Sequence, residues 1–435
     1  MTRNKTAEFR DPIHGFVEVY PHERQIIDTS EFQRLRRIHQ LGLTHYVYHG
    51  AEHSRFGHAI GVMHLAGKAV EGIIDRNAEL VQDTLQWQAH EKSDQKRRLV
   101  LLARLAGLLH DIGHAPFSHT GESKLFSEGD SHEGHGAAII RGSEIGEIID
   151  TDDQCRDLKI SRDDVADLVV GRAALSAGFV QELISSPWDV DKMDYLLRDS
   201  RYCGVQYGTF DLGRILNTLT LDAEADEGSL KLAIEEDGIH ALEAFVLARY
   251  YMFTQIYFHD VRRAYDLVLT DLIAELLEGE TDNGKYPGSG NLEGYLKWDD
   301  NRVLFEANKR RDQLKKNFSW RIIDRQHPRE VYATEDSPDS GLVRNVETRL
   351  IEAVSDKYPG LQFWLDRAID HPDRFRLEDM MVKIAGKPPI WREFRRESRP
   401  LQGLQEIGKY RLYSDLSGDV DLHNEVRNFC RSLMA

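Results

Sequence analysis

Residues 108–119 read L-L-H-D-I-G-H-A-P-F-S-H, three histidines and an aspartate directly behind an apolar run. Titratable groups are costly there unless something pairs with them. His110 and Asp111 end a helix expected over 98–111 and project about 100° apart around its axis. They cannot share one face centre, but they can straddle an ion lodged beside the helix. Imidazole with carboxylate suits a divalent cation (Mn, Mg, Fe or Zn), geometry deciding which. Two ligands do not close a site, so others must arrive from distant segments. His58, in H-S-R-F-G-H (53–58), opens a further predicted helix. The stretch S-S-P-W-D-V-D-K-M-D-Y-L-L-R-D-S (185–200) crowds Asp189, Asp191, Asp194 and Asp199 among apolar neighbours. Any one of these residues alone reads as ordinary core or surface. The ordered set H…HD…D carries the signal, with the choice among the four acids open at this point.

The words around that set are specific. D-P-I-H-G-F-V-E-V (11–19), D-T-S-E-F-Q-R-L-R-R-I-H-Q-L-G (28–42), H-S-R-F-G-H, H-D-I-G-H-A-P-F-S-H and D-V-D-K-M-D-Y-L-L-R-D-S occur in this order. Together they resemble the HD-domain metal-dependent phosphohydrolases, and within them the deoxynucleoside triphosphate triphosphohydrolases. That branch holds bacterial dGTPase-like enzymes and the human sterile-alpha-motif HD-domain dNTPase. The resemblance implies that His58, His110, Asp111 and Asp191 hold the metal. It implies that His114, His119 and His132 line the α-phosphate, with His119 as general acid. Glu122 or Glu133 is placed to orient an imidazole, and His135 reads as structural. Arg55, Lys192 and Tyr195 match phosphate-binding positions, Asp199 the acceptor of the sugar 3′-hydroxyl, and Gln40 and Leu41 the wall against the deoxyribose.

The family's γ-phosphate arginine has no counterpart at its expected place, and Arg249, Arg262 and Arg263 are the replacements on offer. Family members assemble as tetramers and bind nucleotide effectors. Asp28, Gln33 and Arg36 match positions that read a guanine nucleotide, and Arg214 matches a second-effector position. Expected partners are therefore a dNTP substrate, a nucleotide effector and further copies of the chain. Hydrolysis of another nucleotide (mono-, cyclic or signalling) and a non-catalytic nucleotide-sensing module are the competing readings; the full complement of ligands and histidines counts against the second.

The elements that must position these residues are mostly helical. Apolar side chains recur at three- and four-residue steps over 58–76, 98–110 and 240–278. Asp28-Thr29-Ser30 reads as a helix cap. F-V-E-V-Y (16–20), Y-V-Y (46–48) and S-L-K-L-A-I (229–234) carry the few strand signals. The expected fold is mainly α: an HD-domain helical core over 1–277 with small β hairpins, a loop boundary over 278–302, and a smaller α+β C-terminal region over 303–435 with an oligomerisation or regulatory role. The chain has 435 residues, 41% hydrophobic, with a net charge of −17. Such an acidic surface repels polyphosphate backbones and argues against non-specific nucleic-acid binding. The three cysteines form no C-x-x-C pair, which suits a cytoplasmic protein. No apolar run is long enough to span a membrane, and the N-terminus lacks a secretory core.

Overall fold

The computed structural model describes residues 6–222, 229–281, 283–311, 319–370, 380–386, 388–402, 404, 407–416 and 418–434. Two long helices form its spine, Arg55–Arg76 and Lys92–Leu109. Ile60, Met63, Ala66 and Val70 of the first pack with Leu99, Leu102, Ala103 and Ala106 of the second in one large buried cluster. The fold is mainly α, as the periodicity requires, with three small sheets among the described residues.

The second helix stops at Leu109, and His110 caps it with helical backbone angles. The chain then turns through Asp111 and His114, whose amide donates to the Asp111 carbonyl at 3.1 Å. Phe117 and Ser118 adopt left-handed backbone angles, φ 56° and 62°. Two successive non-glycine residues in that region store strain, which surrounding contacts must offset. They do so from afar. The Phe117 amide donates to Asp300 at 2.6 Å, and the Ser118 hydroxyl donates to the His39 carbonyl at 2.6 Å. Tyr295 donates to the Gly113 carbonyl at 2.5 Å, and Arg34 ties the His114 carbonyl to that of Trp298. Gly113 itself admits no side chain, since a Cβ there would sit 2.1 Å from the His132 carbonyl.

The Val190–Cys203 helix is N-capped by Asp189, which accepts from the Lys192 amide at 2.8 Å, and is closed by Gly204 at φ 73°. It crosses the Arg55–Arg76 helix at Gly61, where an added Cβ would lie 1.9 Å from Asp194 Oδ1. The glycine makes the crossing possible.

Several expectations change in detail. The 240–278 stretch is not one helix. It is Ile239–Met252, a π-helical turn over Phe253–Tyr257, and Asp260–Glu278 restarted by a cap from the His259 ring. Y-V-Y is not a strand: Thr44–Tyr46 is a 3-10 turn, and the amides of Val47 and Tyr48 both return to the Thr44 carbonyl. Thr29, from the anticipated cap cluster, accepts from the Phe32 amide at 3.3 Å. The hairpin Ala7–Asp11/Gly15–Val19 forms. Lys231–Glu235 pairs antiparallel with Leu219–Asp222 and parallel with Met381–Ile384.

The turn-rich 278–302 stretch contains the helix Leu292–Leu296 and buries Tyr286, Tyr295 and Trp298 against Phe126, Leu269 and Ile273. Beyond it, Arg329–Ala333, Ile407–Ser414 and Phe363–Asp370 form an antiparallel sheet. This sheet grips the start of the Asp260–Glu278 helix through Arg263 to Asp366, Tyr413 to the Asp260 carbonyl and Arg411 to the Phe258 carbonyl. Gly61→Ala should overpack the helix crossing and cost about 1–3 kcal/mol; a fall in both thermal midpoint and metal affinity, measured on the same preparation, checks it.

Candidate metal centre and active site

Three elements converge on one point. His58 comes from the first turn of Arg55–Arg76, His110 and Asp111 from the end of Lys92–Leu109, and Asp191 from the first turn of Val190–Cys203. His58 Nε2 lies 2.9 Å from Asp191 Oδ1 and 3.5 Å from Asp111 Oδ2. His110 Nε2 lies 3.2 Å from Asp111 Oδ1 and 3.5 Å from Asp191 Oδ1. Donor atoms of His58, His110 and Asp191 all fall within 4.8 Å of one another.

The residues fit a metal. Both Nε2 atoms are buried and lack a partner in hydrogen-bond geometry. The other nitrogen of each ring is committed: His58 Nδ1 donates to Asp194 at 2.8 Å, and His110 Nδ1 donates to the Gly107 carbonyl at 2.9 Å. Both lone pairs therefore face the carboxylates, with the outer-shell partner setting each tautomer. Burial opposes charge on His58, but Asp191 and Asp194 outweigh it and raise its pKa to about 10. An ion must displace that proton. Asp111 is held well below the carboxylate range, against burial, by Arg55, His110 and His114. Asp194 is the residue whose role was not legible beforehand. Fully buried, it accepts from His58, His14 (2.6 Å) and Arg198 (2.8 and 2.9 Å), and Arg198 also pairs with Asp11 at 3.0 Å.

A second cluster adjoins the first through His114, whose Nε2 is 3.1 Å from Asp111 Oδ1. Glu122 is its hub. His114 and His132 each place Nδ1 3.3 Å from Glu122 Oε1, and His119 Nδ1 is 3.2 Å from Oε2. Donor atoms of these four residues also lie within 4.8 Å of one another. The His114 and His132 rings stack at 4.0 Å between centroids. Burial, Arg55 and His132 push the His114 pKa down to about 4, so its imidazole is neutral near pH 7. Burial opposes charge on His132 too, but Glu122 overrides it and raises that pKa. Glu122 is driven far below its usual range, against burial, by His119, His114 and His132. The His119 side chain is 63% exposed, the most open of the set. His135 is buried between the Ser131 and Pro287 carbonyls, a structural position.

The expected substrate residues are partly committed. Arg55 donates to Ser118 at 2.8 Å and pairs with Asp111. Lys192 pairs with Asp189 at 2.7 Å. Asp199, buried, accepts from His53 and Tyr257, each at 2.7 Å. The Tyr195 ring lies 6.2 Å from that of Tyr257. Gln40 and Leu41 are buried in the turn before His53. Of the three replacement arginines, Arg263 is held by Asp366 and Arg249 is buried against Phe253. Arg262 donates to the Tyr257 carbonyl at 2.5 Å and to Thr44 at 3.1 Å. Among the effector positions, Gln33 accepts from Arg36 at 2.8 Å, with the Arg36 guanidinium 3.4 Å over the Phe56 ring. Asp28 is 4.0 Å from Arg24. Arg214 is exposed and donates to the Asp237 carbonyl.

Sequence-family models match this organisation. The HD domain covers residues 55–197, which hold every proposed metal ligand, and the HD-associated region covers 210–358. The chain belongs to the HD-domain family. This HD-domain protein is 34% identical to the uncharacterized protein YwfO of Bacillus subtilis over 337 residues, 73% of this chain and 70% of that one. It is 29% identical to the deoxynucleoside triphosphate triphosphohydrolase SAMHD1 of Xenopus laevis over 376 residues, 74% of this chain and 56% of that one. The chain thus spans little more than half the length of that enzyme. A crystal structure of a hypothetical protein from Aquifex aeolicus superposes with TM-score 0.72 at 30% identity, covering 99% of this chain and 100% of that one. Family and ligand set together are those of a metal-dependent phosphohydrolase. No helix among the described residues is long and apolar enough to cross a membrane.

Because Asp194 fixes the His58 tautomer, Asp194→Asn should weaken divalent-metal binding about 10–100-fold. Titration calorimetry with Mn²⁺ checks it; unchanged affinity would remove Asp194 from the metal centre.

Proposed function

We propose that this protein hydrolyses deoxynucleoside triphosphates to deoxynucleoside and inorganic triphosphate. The observation that carries the reading is the junction of the two clusters at Asp111 and His114. A metal-ligand set and a carboxylate-bound histidine set stand side by side, as attack at a phosphorus and protonation of its leaving oxygen require. Triphosphohydrolase relatives that match most of the chain support the substrate class.

His58, His110, Asp111 and Asp191 would hold the metal, which when bound neutralises phosphate charge and lowers the pKa of water. Water attacks the α-phosphorus, the bond to the sugar 5′-oxygen breaks, and that oxygen takes a proton. His119 is the donor in this reading, exposed toward incoming ligand and steered by Glu122. His132, whose pKa Glu122 raises, and His114 line the α-phosphate. Arg55, Lys192 and Tyr195 meet the remaining phosphates, with Arg262 as the further cation. Asp199 keeps free lone pairs beyond its bonds from His53 and Tyr257, and these accept the 3′-hydroxyl. Gln40 and Leu41 close the wall where a ribose 2′-hydroxyl would fall. Asp28, Gln33, Arg36 and Arg214 would read a nucleotide effector that stabilises a tetramer, with the 303–435 region contributing to assembly or regulation.

Incubation with each dNTP and Mn²⁺ or Mg²⁺, alone and mixed, followed by chromatography, is the direct test. Deoxynucleoside plus triphosphate is expected; pyrophosphate as product would overturn the bond assignment, and inert dNTPs the substrate class. Asp111→Ala should abolish turnover. His119→Ala should lower kcat about 10²–10⁴-fold with little change in KM, as steady-state kinetics would show. Light scattering should register a larger assembly when dNTPs are added, and a monomer of full activity would dismiss the effector site.

A further inference from the structure

A third group of donor atoms stands apart from both clusters. His39, His45 and Glu52 bring two imidazoles and a carboxylate within 4.8 Å of one another. His39 Nε2 is 3.6 Å from Glu52 Oε2, and the His39 and His45 rings stack with centroids 5.0 Å apart. The other nitrogen of His39, Nδ1, is 2.7 Å from Asp300 Oδ2. Asp300 is fully buried and its carboxylate only accepts, so Nδ1 carries a proton. In the neutral ring, Nε2 then turns its lone pair toward Glu52 and His45. A carboxylate behind an imidazole in this way is the support that ligating histidines receive in metal sites.

A simple ion pair accounts for His39, between Asp300 and Glu52, but not for His45. The His45 ring meets the Gly42 backbone, but its Nδ1 is buried without a partner in hydrogen-bond geometry, and a second cationic ring stacked on the first would be repelled. A shared ion satisfies all three side chains. We propose that His39, His45 and Glu52 form a second metal site, for a first-row divalent ion of the zinc type. Two imidazoles and one carboxylate with an open fourth position match that class, whereas magnesium and calcium prefer an all-oxygen shell.

The site has a route to the active centre. The His39 carbonyl accepts from Ser118, which accepts in turn from Arg55, the partner of Asp111. Asp300 holds both the His39 ring and the Phe117 amide. An ion here pins the 39–52 segment, which carries Gln40 and Leu41.

The test is a count of Co²⁺ bound per chain, by equilibrium dialysis with elemental analysis and by the visible ligand-field spectrum. It uses the wild-type protein, Glu52→Gln, His45→Asn, Asp111→Ala and the Asp111→Ala/Glu52→Gln double variant. Glu52 is 62% exposed, so its substitution leaves the fold undisturbed. Glu52→Gln and His45→Asn should each bind one ion fewer than wild type, and the double variant one fewer than Asp111→Ala. Equal counts and superimposable spectra for wild type, Glu52→Gln and His45→Asn would overturn the site. The readout involves no substrate, so it succeeds or fails separately from the proposed hydrolysis.

Discussion

The buried carboxylate of Asp194 is the contact on which the metal centre depends. It is fully enclosed, and a lone carboxylate there would be too costly to keep ionised. Arg198, itself neutralised further by Asp11, supplies the compensating charge from the same helix. The pair leaves oxygen lone pairs that accept hydrogen bonds from His14 and His58. His58 thereby presents one defined face to the ion. Gly61 gives the helix crossing its room, and the N-terminal hairpin contributes Asp11 and, beside it, His14. A polar network thus sets the geometry of two helices that are otherwise joined by interchangeable aliphatic contacts.

The 110–119 loop shows the complementary constraint. Its backbone is bent into conformations that alanine-like residues avoid, and each strained or open group is met by a partner from another part of the chain. Asp300, Tyr295, Arg34 and the His39 carbonyl form this cradle. Side chains that share one short loop can therefore face two ways. His110 and Asp111 turn to the ion, while His114 and His119 turn to Glu122.

Much of this was legible in the sequence, for reasons that can be named. The long helices follow from apolar spacing, and the ligand set from the rarity of paired histidine and carboxylate beside greasy runs. Asp189, Asp191, Asp194 and Asp199 looked alike, yet they serve as cap, proposed ligand, buried support and partner of His53 and Tyr257. Only tertiary neighbours separate them. Y-V-Y failed as a strand because Thr44 captures the amides of Val47 and Tyr48, local turn chemistry that overrides β propensity. The π-helical turn at Phe253–Tyr257 left no mark on the periodicity. Asp300 was hidden because its partners lie 183 and 261 residues away.

That separation has a consequence for how the protein comes into being. A nascent chain that has emerged only as far as residue 290 already holds every proposed metal ligand and every histidine of the second cluster. It lacks Tyr295, Trp298 and Asp300, so the loop keeps its ties to Arg34 and His39 but loses those that hold Gly113 and Phe117. Contacts of such long range form late, after local helices have been made. The active geometry is thus completed only after residue 300 has emerged, and a chain interrupted before that point carries the parts of the site without all of its support.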